Sequence, residues 1–258
     1  MSETSLNVTY IGHATTLLEM DGVRILTDPV LRRRVLHLRR SVPLGLPGAA
    51  PLAGVDAILV SHLHFDHFDL RTLRTFDHGV TVVVPRGGAV QLLRRRGFTD
   101  VRGVDEDTVV DIGSLRVRAV HAQHPPGRPR LRGPALGYML RGSMSIYFAG
   151  DTDVFEEMSA LSGDDVALLP VAGWGRRLPE GAHMNPLRAA QALRLLRPRV
   201  AIPIHWGTFA PLWAFRGYPA NDVAAVEFRR LAREVAPEVD VRVLEPGETY
   251  RVPAAPIG

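Results

Sequence analysis

The chain has 258 residues, 46% hydrophobic and 22% charged, with 24 Gly, 20 Pro and no Cys, which excludes a largely disordered chain, a collagen-like repeat and a coiled coil. The absence of cysteine removes disulfides, thiolate metal sites and cysteine nucleophiles together. The net charge of +4 comes from 31 basic and 27 acidic residues; every basic residue is arginine, so no Schiff-base or general-base lysine exists, and so small an excess does not by itself call for nucleic acid.

In chain order, Asn7–Ile11, Thr15–Met20 and Val23–Thr27 read as an antiparallel opening, with Asp21-Gly22 as a hairpin turn. The stretch from Leu31 to Pro51 carries Arg, Gly and Pro with little periodicity and is expected to be a long surface loop. Its run Arg32-Arg33-Arg34 with Arg39-Arg40 is a candidate for peripheral contact with a membrane or other anionic surface, against a plainly solvated loop. Strands follow at Asp56–Val60, Val80–Val84, Leu115–Val120, Ser145–Ala149, Val166–Val171, Val200–Ile204, Val241–Leu244 and Thr249–Val252. Helical patterns lie at Gly88–Arg96, Val154–Leu161, Pro186–Arg197 and Asn221–Val235, with Asn185 and Asn221 as N-caps and Pro186 at a first helical position. No repeat or linker divides the chain, so one domain over 1–258 is expected, built of two mixed sheets with helices outside. No apolar run reaches the roughly 18 residues of a membrane span. Met1–Leu6 is short and polar, with no signal segment, and the expected location is the cytoplasm.

The densest chemistry is Ser61-His62-Leu63-His64-Phe65-Asp66-His67, directly after a strand. Three histidines and an aspartate this close are poorly explained by packing, because buried imidazoles need partners and protonated ones repel. Imidazole and carboxylate suit zinc and related divalent metals. Further candidates stand just past other strands: His121 and His124 after Leu115–Val120, Asp151 in Gly150-Asp151-Thr152, and His205 after Val200–Ile204. Carboxyl ends of strands are where α/β proteins gather functional loops.

The motif His-x-His-x-Asp-His at His62–His67 resembles that of the metallo-β-lactamase superfamily, and the resemblance covers nearly the whole chain. Tyr10-Ile11-Gly12-His13-Ala14-Thr15, Leu26-Thr27-Asp28-Pro29 and Ile202-Pro203-Ile204-His205-Trp206-Gly207-Thr208 resemble the branch with L-ascorbate-6-phosphate lactonase and N-acyl-phosphatidylethanolamine-hydrolysing phospholipase D. The resemblance implies an αβ/βα sandwich with a dinuclear metal site at one edge. It implies that His62, His64 and His124 hold one ion, that Asp66, His67 and His205 hold the other, and that Asp151 bridges them. His121 and His124 compete for one position, and His124-Pro125-Pro126-Gly127-Arg128 fits the family pattern better, although the phospholipid-cleaving member has an aromatic residue where Pro125 stands. Two divalent ions, zinc first with manganese or iron as alternatives, would lower the pKa of a shared water from about 15.7 toward 7 and polarise the substrate.

Asp66 has a second expected role, holding the nucleophile in line. His183 is expected to donate a hydrogen bond to substrate or act as general acid, against a plain helix-entry residue. The resembled branch places a histidine like His13 near its site, against a plain surface residue, and Asp28 is expected to orient a ligand imidazole, against a simple turn before Pro29. Arg128, Arg130, Arg132, Arg176 and Arg177 offer forks for phosphate or carboxylate, against a solvated surface in a chain whose every cation is arginine. Trp174 and Trp206 are candidates for a pocket mouth, as are Trp213 and Phe215, for which core packing is an equal alternative. His37 and His78 read as surface residues. The expected function is hydrolysis of a small anionic substrate, a phosphodiester or phosphorylated lactone. The alternatives are a metal-stabilised scaffold without turnover and a nucleic-acid-processing hydrolase. Nucleic-acid partners are not expected, and a homo-oligomer is compatible with the sequence.

Overall fold

The structure is a computed structural model that describes residues 6–46, 52–125, 130–173, 181–206, 209–211 and 223–254. The chain opens with β1 (Leu6–Gly12), β2 (Thr15–Met20) and β3 (Val23–Thr27), antiparallel throughout. Asp21 and Gly22 both take positive φ, 53° and 79°, the pair a two-residue hairpin turn requires. Next come β4 (Arg34–Val35), β5 (Leu38–Arg40), β6 (Ala57–Leu59), α1 (Leu70–Leu73), β7 (Thr81–Pro85), α2 (Gly88–Arg95) and β8 (Val101–Val104). The second half runs β9 (Val109–Ile112), β10 (Leu115–His121), β11 (Leu136–Arg141), β12 (Ser145–Phe148), a 3₁₀ turn (Glu156–Leu161), β13 (Val166–Pro170), α3 (Pro186–Leu196) and β14 (Val200–Ile204). It closes with β15 (Phe209–Pro211), α4 (Val223–Val235), β16 (Asp240–Val241) and β17 (Thr249–Val252).

Two seven-stranded mixed sheets result, ordered β17-β1-β2-β3-β6-β7-β8 and β16-β14-β13-β12-β11-β10-β9. Each is antiparallel on one side and turns parallel at β3 to β6 and at β12 to β13. Alternation along β6 shows how one strand serves two layers: Ala57 and Leu59 join the large core shared with the second sheet, while Ile58 joins Leu73, Ala89 and Leu93 of α1 and α2 on the other face. Helices α3 and α4 pack together and against β13 and β14. This is the expected sandwich of two mixed sheets with helices on the outer faces. Asn185 caps α3 as its sequence position suggests, its side chain accepting from Arg188 N, and Arg197 ends the helix in a left-handed conformation.

Several expectations change. The Leu31–Pro51 stretch is not simply a surface loop, because β4 and β5 pair with each other and with β15 in a three-stranded sheet. Of its arginine run, Arg33 and Arg34 are exposed, while Arg32 and Arg40 are held by the protein. Arg32 bonds both oxygens of Asp69, at 2.7 and 2.9 Å. Arg40 is buried, with Nη2 donating to Val30 O at 2.5 Å and the guanidinium over the Phe209 ring; burial pulls its pKa down to about 10. Val154–Leu161 yields only the 3₁₀ turn, and the strand placed at Val241–Leu244 is Asp240–Val241. Strands β8, β9 and β11 escaped the sequence pattern because Gly103, Asp111 and Gly137 interrupt their apolar runs. His37 and His78 are exposed, as expected. No helix among the described residues is long and apolar enough to cross a membrane.

Candidate metal centre

The loop after β6 turns tightly, with the amides of His67 and Phe68 both donating to His64 O, and Asp69 stops it by capping α1. The turn brings His62 Nε2 within 2.9 Å of His64 Nδ1, and His124 Nε2 lies 3.1 Å from the same His64 atom. Beside this trio stands a second group: Asp66 Oδ2 is 3.1 Å from His13 Nε2, 3.6 Å from His205 Nε2 and 3.7 Å from His67 Nε2. Asp151 Oδ2 lies between the groups, 3.1 Å from His67 Nε2, 3.3 Å from His205 Nε2, 3.5 Å from His183 Nδ1 and 3.8 Å from His62 Nε2.

The outward nitrogens are pinned. His67 Nδ1 donates to Asp28 Oδ2 at 2.7 Å, His124 Nδ1 to Ala182 O at 2.5 Å, and His205 Nδ1 to Ala172 O at 2.8 Å. Ser61 Oγ gives its own proton to Asp28 Oδ2 and so accepts from His62 Nδ1. Each of these four rings therefore carries a proton on Nδ1 and turns its Nε2 inward. Such outer partners fix the tautomer of metal-binding imidazoles.

Backbone geometry serves the same end. His13, Asp28 and His205 hold positive φ, 63°, 34° and 56°, each costing about 1–3 kcal/mol for a non-glycine residue. Their backbones are held from outside: His205 N donates to His13 O, and Asp28 N to Leu59 O. Gly150 also has positive φ, and a Cβ there would lie 2.5 Å from Ser61 Cβ. The Gly-Asp-Thr turn thus needs glycine to seat Asp151 against the histidine loop.

Electrostatics match the geometry. Burial opposes ionisation of Asp66 and Asp151, but the imidazoles around them outweigh it and hold both carboxyls well below the usual range. Burial likewise disfavours a charged His67, yet Asp151, Asp66 and Asp28 push that ring well above its ordinary value. Three buried carboxylates converging on one ring demand positive charge. Burial, reinforced by His205, lowers His13 to about 3, and burial lowers His183 to about 4, so both are neutral at pH 7.

The residues fit divalent ions. Asp151 Oδ1, His67 Nε2 and His183 Nδ1 are buried without an aligned hydrogen-bond partner among the described residues. Ligands about 2.0–2.2 Å from one tetrahedral zinc lie roughly 3.2–3.6 Å apart, close to the separations in both groups. The nitrogen and oxygen donor set also suits manganese or iron.

All seven expected ligands, His62, His64, Asp66, His67, His124, Asp151 and His205, converge here, with His13, Asp28 and His183 beside them. His121 points elsewhere, 3.4 Å from Glu106 and edge-on to Phe155. Trp206 does not line a mouth: it is buried, stacked on Tyr10 and donating from Nε1 to Pro203 O, so it backs the His205 loop. Arg128, Trp174, Arg176, Arg177, Trp213, Phe215 and the Asn221 cap lie outside the described residues. Sequence reasoning missed Ser61 and Asp153. Ser61 directly precedes the histidine motif, and Asp153 stands two residues from Asp151, the only signals they offered.

A family model described as "Beta-lactamase superfamily domain" matches residues 23–206. A UPF0173 metal-dependent hydrolase of Methanopyrus kandleri is 32% identical, covering 95% of this chain and 99% of its own. One from Rubrobacter xylanophilus is also 32% identical, over 93% and 94% of the two chains. Among solved structures, Igni18, a metallo hydrolase from the archaeon Ignicoccus hospitalis, has a TM-score of 0.74 and 26% identity, covering 98% of this chain and 100% of that one.

Proposed function

The chain belongs to the β-lactamase superfamily and is a metal-dependent hydrolase, and on that premise we propose that it uses two divalent ions to hydrolyse a small anionic substrate, a phosphodiester or phosphorylated lactone. The observation that carries the dinuclear reading is Asp151 Oδ2, within 3.8 Å of both His62 Nε2 and His67 Nε2. His62, His64 and His124 would hold one ion, Asp66, His67 and His205 the other, and Asp151 would reach both. Bound there, the ions would supply Lewis acidity toward the carbonyl or phosphoryl oxygen and acidify an attacking water, zinc being the first expectation.

The chain's own groups do the rest. Asp66 Oδ2, anchored by His13, accepts a hydrogen bond from the attacking water and holds it in line. His183, 12% exposed at its side chain and beside Asp151, is a neutral ring, which favours hydrogen-bond donation to substrate over delivery of a proton from a cation. Asp28 braces His67. The preference for an anion rests on the branch resemblance and on exposed Arg130 and Arg132 in the loop after His124. One catalytic domain over 1–258, acting in the cytoplasm, completes the reading.

Elemental analysis of the purified chain, with turnover of chromogenic phosphodiesters, lactones and neutral esters, tests it. The expected result is two ions per chain and highest kcat/KM on a phosphorylated substrate. No metal after reconstitution with zinc, manganese or iron would overturn the reading, and a preference for neutral esters would overturn the substrate class.

A further inference from the structure

Asp153 stands two residues beyond Asp151 and is 1% exposed. Its carboxylate gathers three segments. Oδ2 accepts from Gly181 N at 2.8 Å; Oδ1 accepts from Val154 N and from Arg188 Nε, the latter in an ion pair. Its backbone bridges Gln123, with Asp153 N donating to Gln123 O at 2.9 Å. Thr152 strengthens both joints: its Oγ1 accepts from Gln123 N, and its carbonyl accepts from Met184 N.

These contacts lie beside metal-site residues but touch none of their inward atoms. Gln123 precedes His124. Gly181 and Met184 bracket Ala182, whose carbonyl pins His124 Nδ1, and His183, which faces Asp151. Arg188 sits in the first turn of α3 and ties that helix to the same carboxylate. The charge needs this partner, because a buried carboxylate left unpaired is strongly disfavoured.

We propose that Asp153, paired with Arg188, is a positioning residue that holds the Gly181–Asn185 segment against the Gly150–Asp153 turn and so sets the His124 ring for the first ion. The proposal rests on the dinuclear reading above. Removing the Asp153 carboxylate frees Gly181 N and Arg188 together, and the Ala182 carbonyl loses its fixed place. The Asp66, His67 and His205 group has its own braces, Asp28 and Ala172. The effect is therefore confined to the His62, His64 and His124 ion. Disturbing an outer partner of a metal ligand typically lowers metal affinity by about 10–100-fold.

The test is a competition titration of zinc-loaded protein with a chromophoric chelator, with far-UV circular dichroism as the fold check. The wild-type chain, Asp153→Ala, Arg188→Met and Arg188→Lys are compared. The expected result is one ion weakened by about 10–100-fold in Asp153→Ala, a smaller loss at the same ion in Arg188→Met, recovery in Arg188→Lys, and the second ion unchanged. If Asp153→Ala does not fold, Arg188→Met carries the test, since Arg188 is partly exposed and the Asp153 carboxylate left behind keeps its bonds from Gly181 N and Val154 N. Unchanged affinity at both ions, or equal weakening of both, would overturn the proposal and leave Asp153 a purely structural residue. A wild-type chain that binds no zinc, manganese or iron would instead strike the dinuclear reading, a different outcome in the same titration.

Discussion

His124 and His121 are three residues apart, yet their surroundings differ entirely. His124 turns Nε2 toward His64 and donates its Nδ1–H to the Ala182 carbonyl, while His121 rests half-exposed beside Glu106. His124→Ala should therefore lose one ion and most activity, whereas His121→Ala should keep both ions; metal analysis of the two variants reads the difference. His183→Ala removes a hydrogen-bond donor and no expected ligand. Its kcat should fall by about 10²–10³-fold with both ions retained, as when one oxyanion donor is removed. Because the ring is neutral, the loss should be similar for good and poor leaving groups. A loss confined to poor leaving groups would restore proton delivery to His183. A fourth residue acts on stability alone. Asp164 is buried two residues before β13 with the Arg141 guanidinium 3.7 Å away, and burial raises its carboxyl pKa. Between the unfolded and the higher folded pKa the native state binds more protons, so wild-type stability falls as pH rises through that window. Asp164→Asn cannot ionise. Its Tm should exceed wild type at pH 7, and the advantage should vanish below about pH 4, the unfolded aspartate value.

At the scale of elements, the site is a meeting of turns that follow β1, β3, β6, β10, β12 and β14, each locked in a conformation its own strand could not impose. Gly150→Ala tests one of them. A left-handed alanine costs about 1–2 kcal/mol, and overpacking against Ser61 adds about 1–3 kcal/mol. The urea midpoint should fall accordingly, and metal content should fall with it. The strand ends themselves were legible, because a histidine or aspartate just past a β-branched run is a local signal. So were the Asn185 cap and the Asp21-Gly22 turn, each specified by two or three adjacent residues. What was not legible is pairing at a distance. Nothing near Arg40 in the chain announces that Val30 and Phe209 enclose it, and nothing near Ser61 announces that its proton goes to Asp28. The β4–β5 hairpin read as loop because its apolar positions, Val35 and Leu38, pack on Val30 and Phe209 and show no period of their own.

For the whole molecule, the site draws His13, Asp28 and the His62–His67 loop from the first sheet and His124, Asp151 and His205 from the second. Ions bound there would join the two sheets in the native state only. At free zinc about 1,000 times the dissociation constant, each of the two ions would add about 4 kcal/mol, about 8 kcal/mol together. For a chain of this size that corresponds to roughly 16–32 °C in Tm, at about 2–4 °C per kcal/mol. Dialysis against a chelator should lower the calorimetric Tm by that amount, and zinc should restore it. An unchanged Tm would mean that the sheets are held without the ions.

The pairing of β1 with β17 has a consequence for how the chain is made. Thr9 Oγ1 and Thr249 Oγ1 are bonded across a separation of 240 residues, so the strand that covers the β1 edge is synthesised 240 residues after it. At about 5–20 residues per second on a ribosome, that edge waits roughly 12–50 s for its partner. Throughout the wait, the first sheet presents an open row of amides and carbonyls to neighbouring nascent chains. Holding factors that mask strand edges should therefore raise the soluble yield of the chain, and deleting β17 should send it into aggregates even though every ligand of the proposed centre remains.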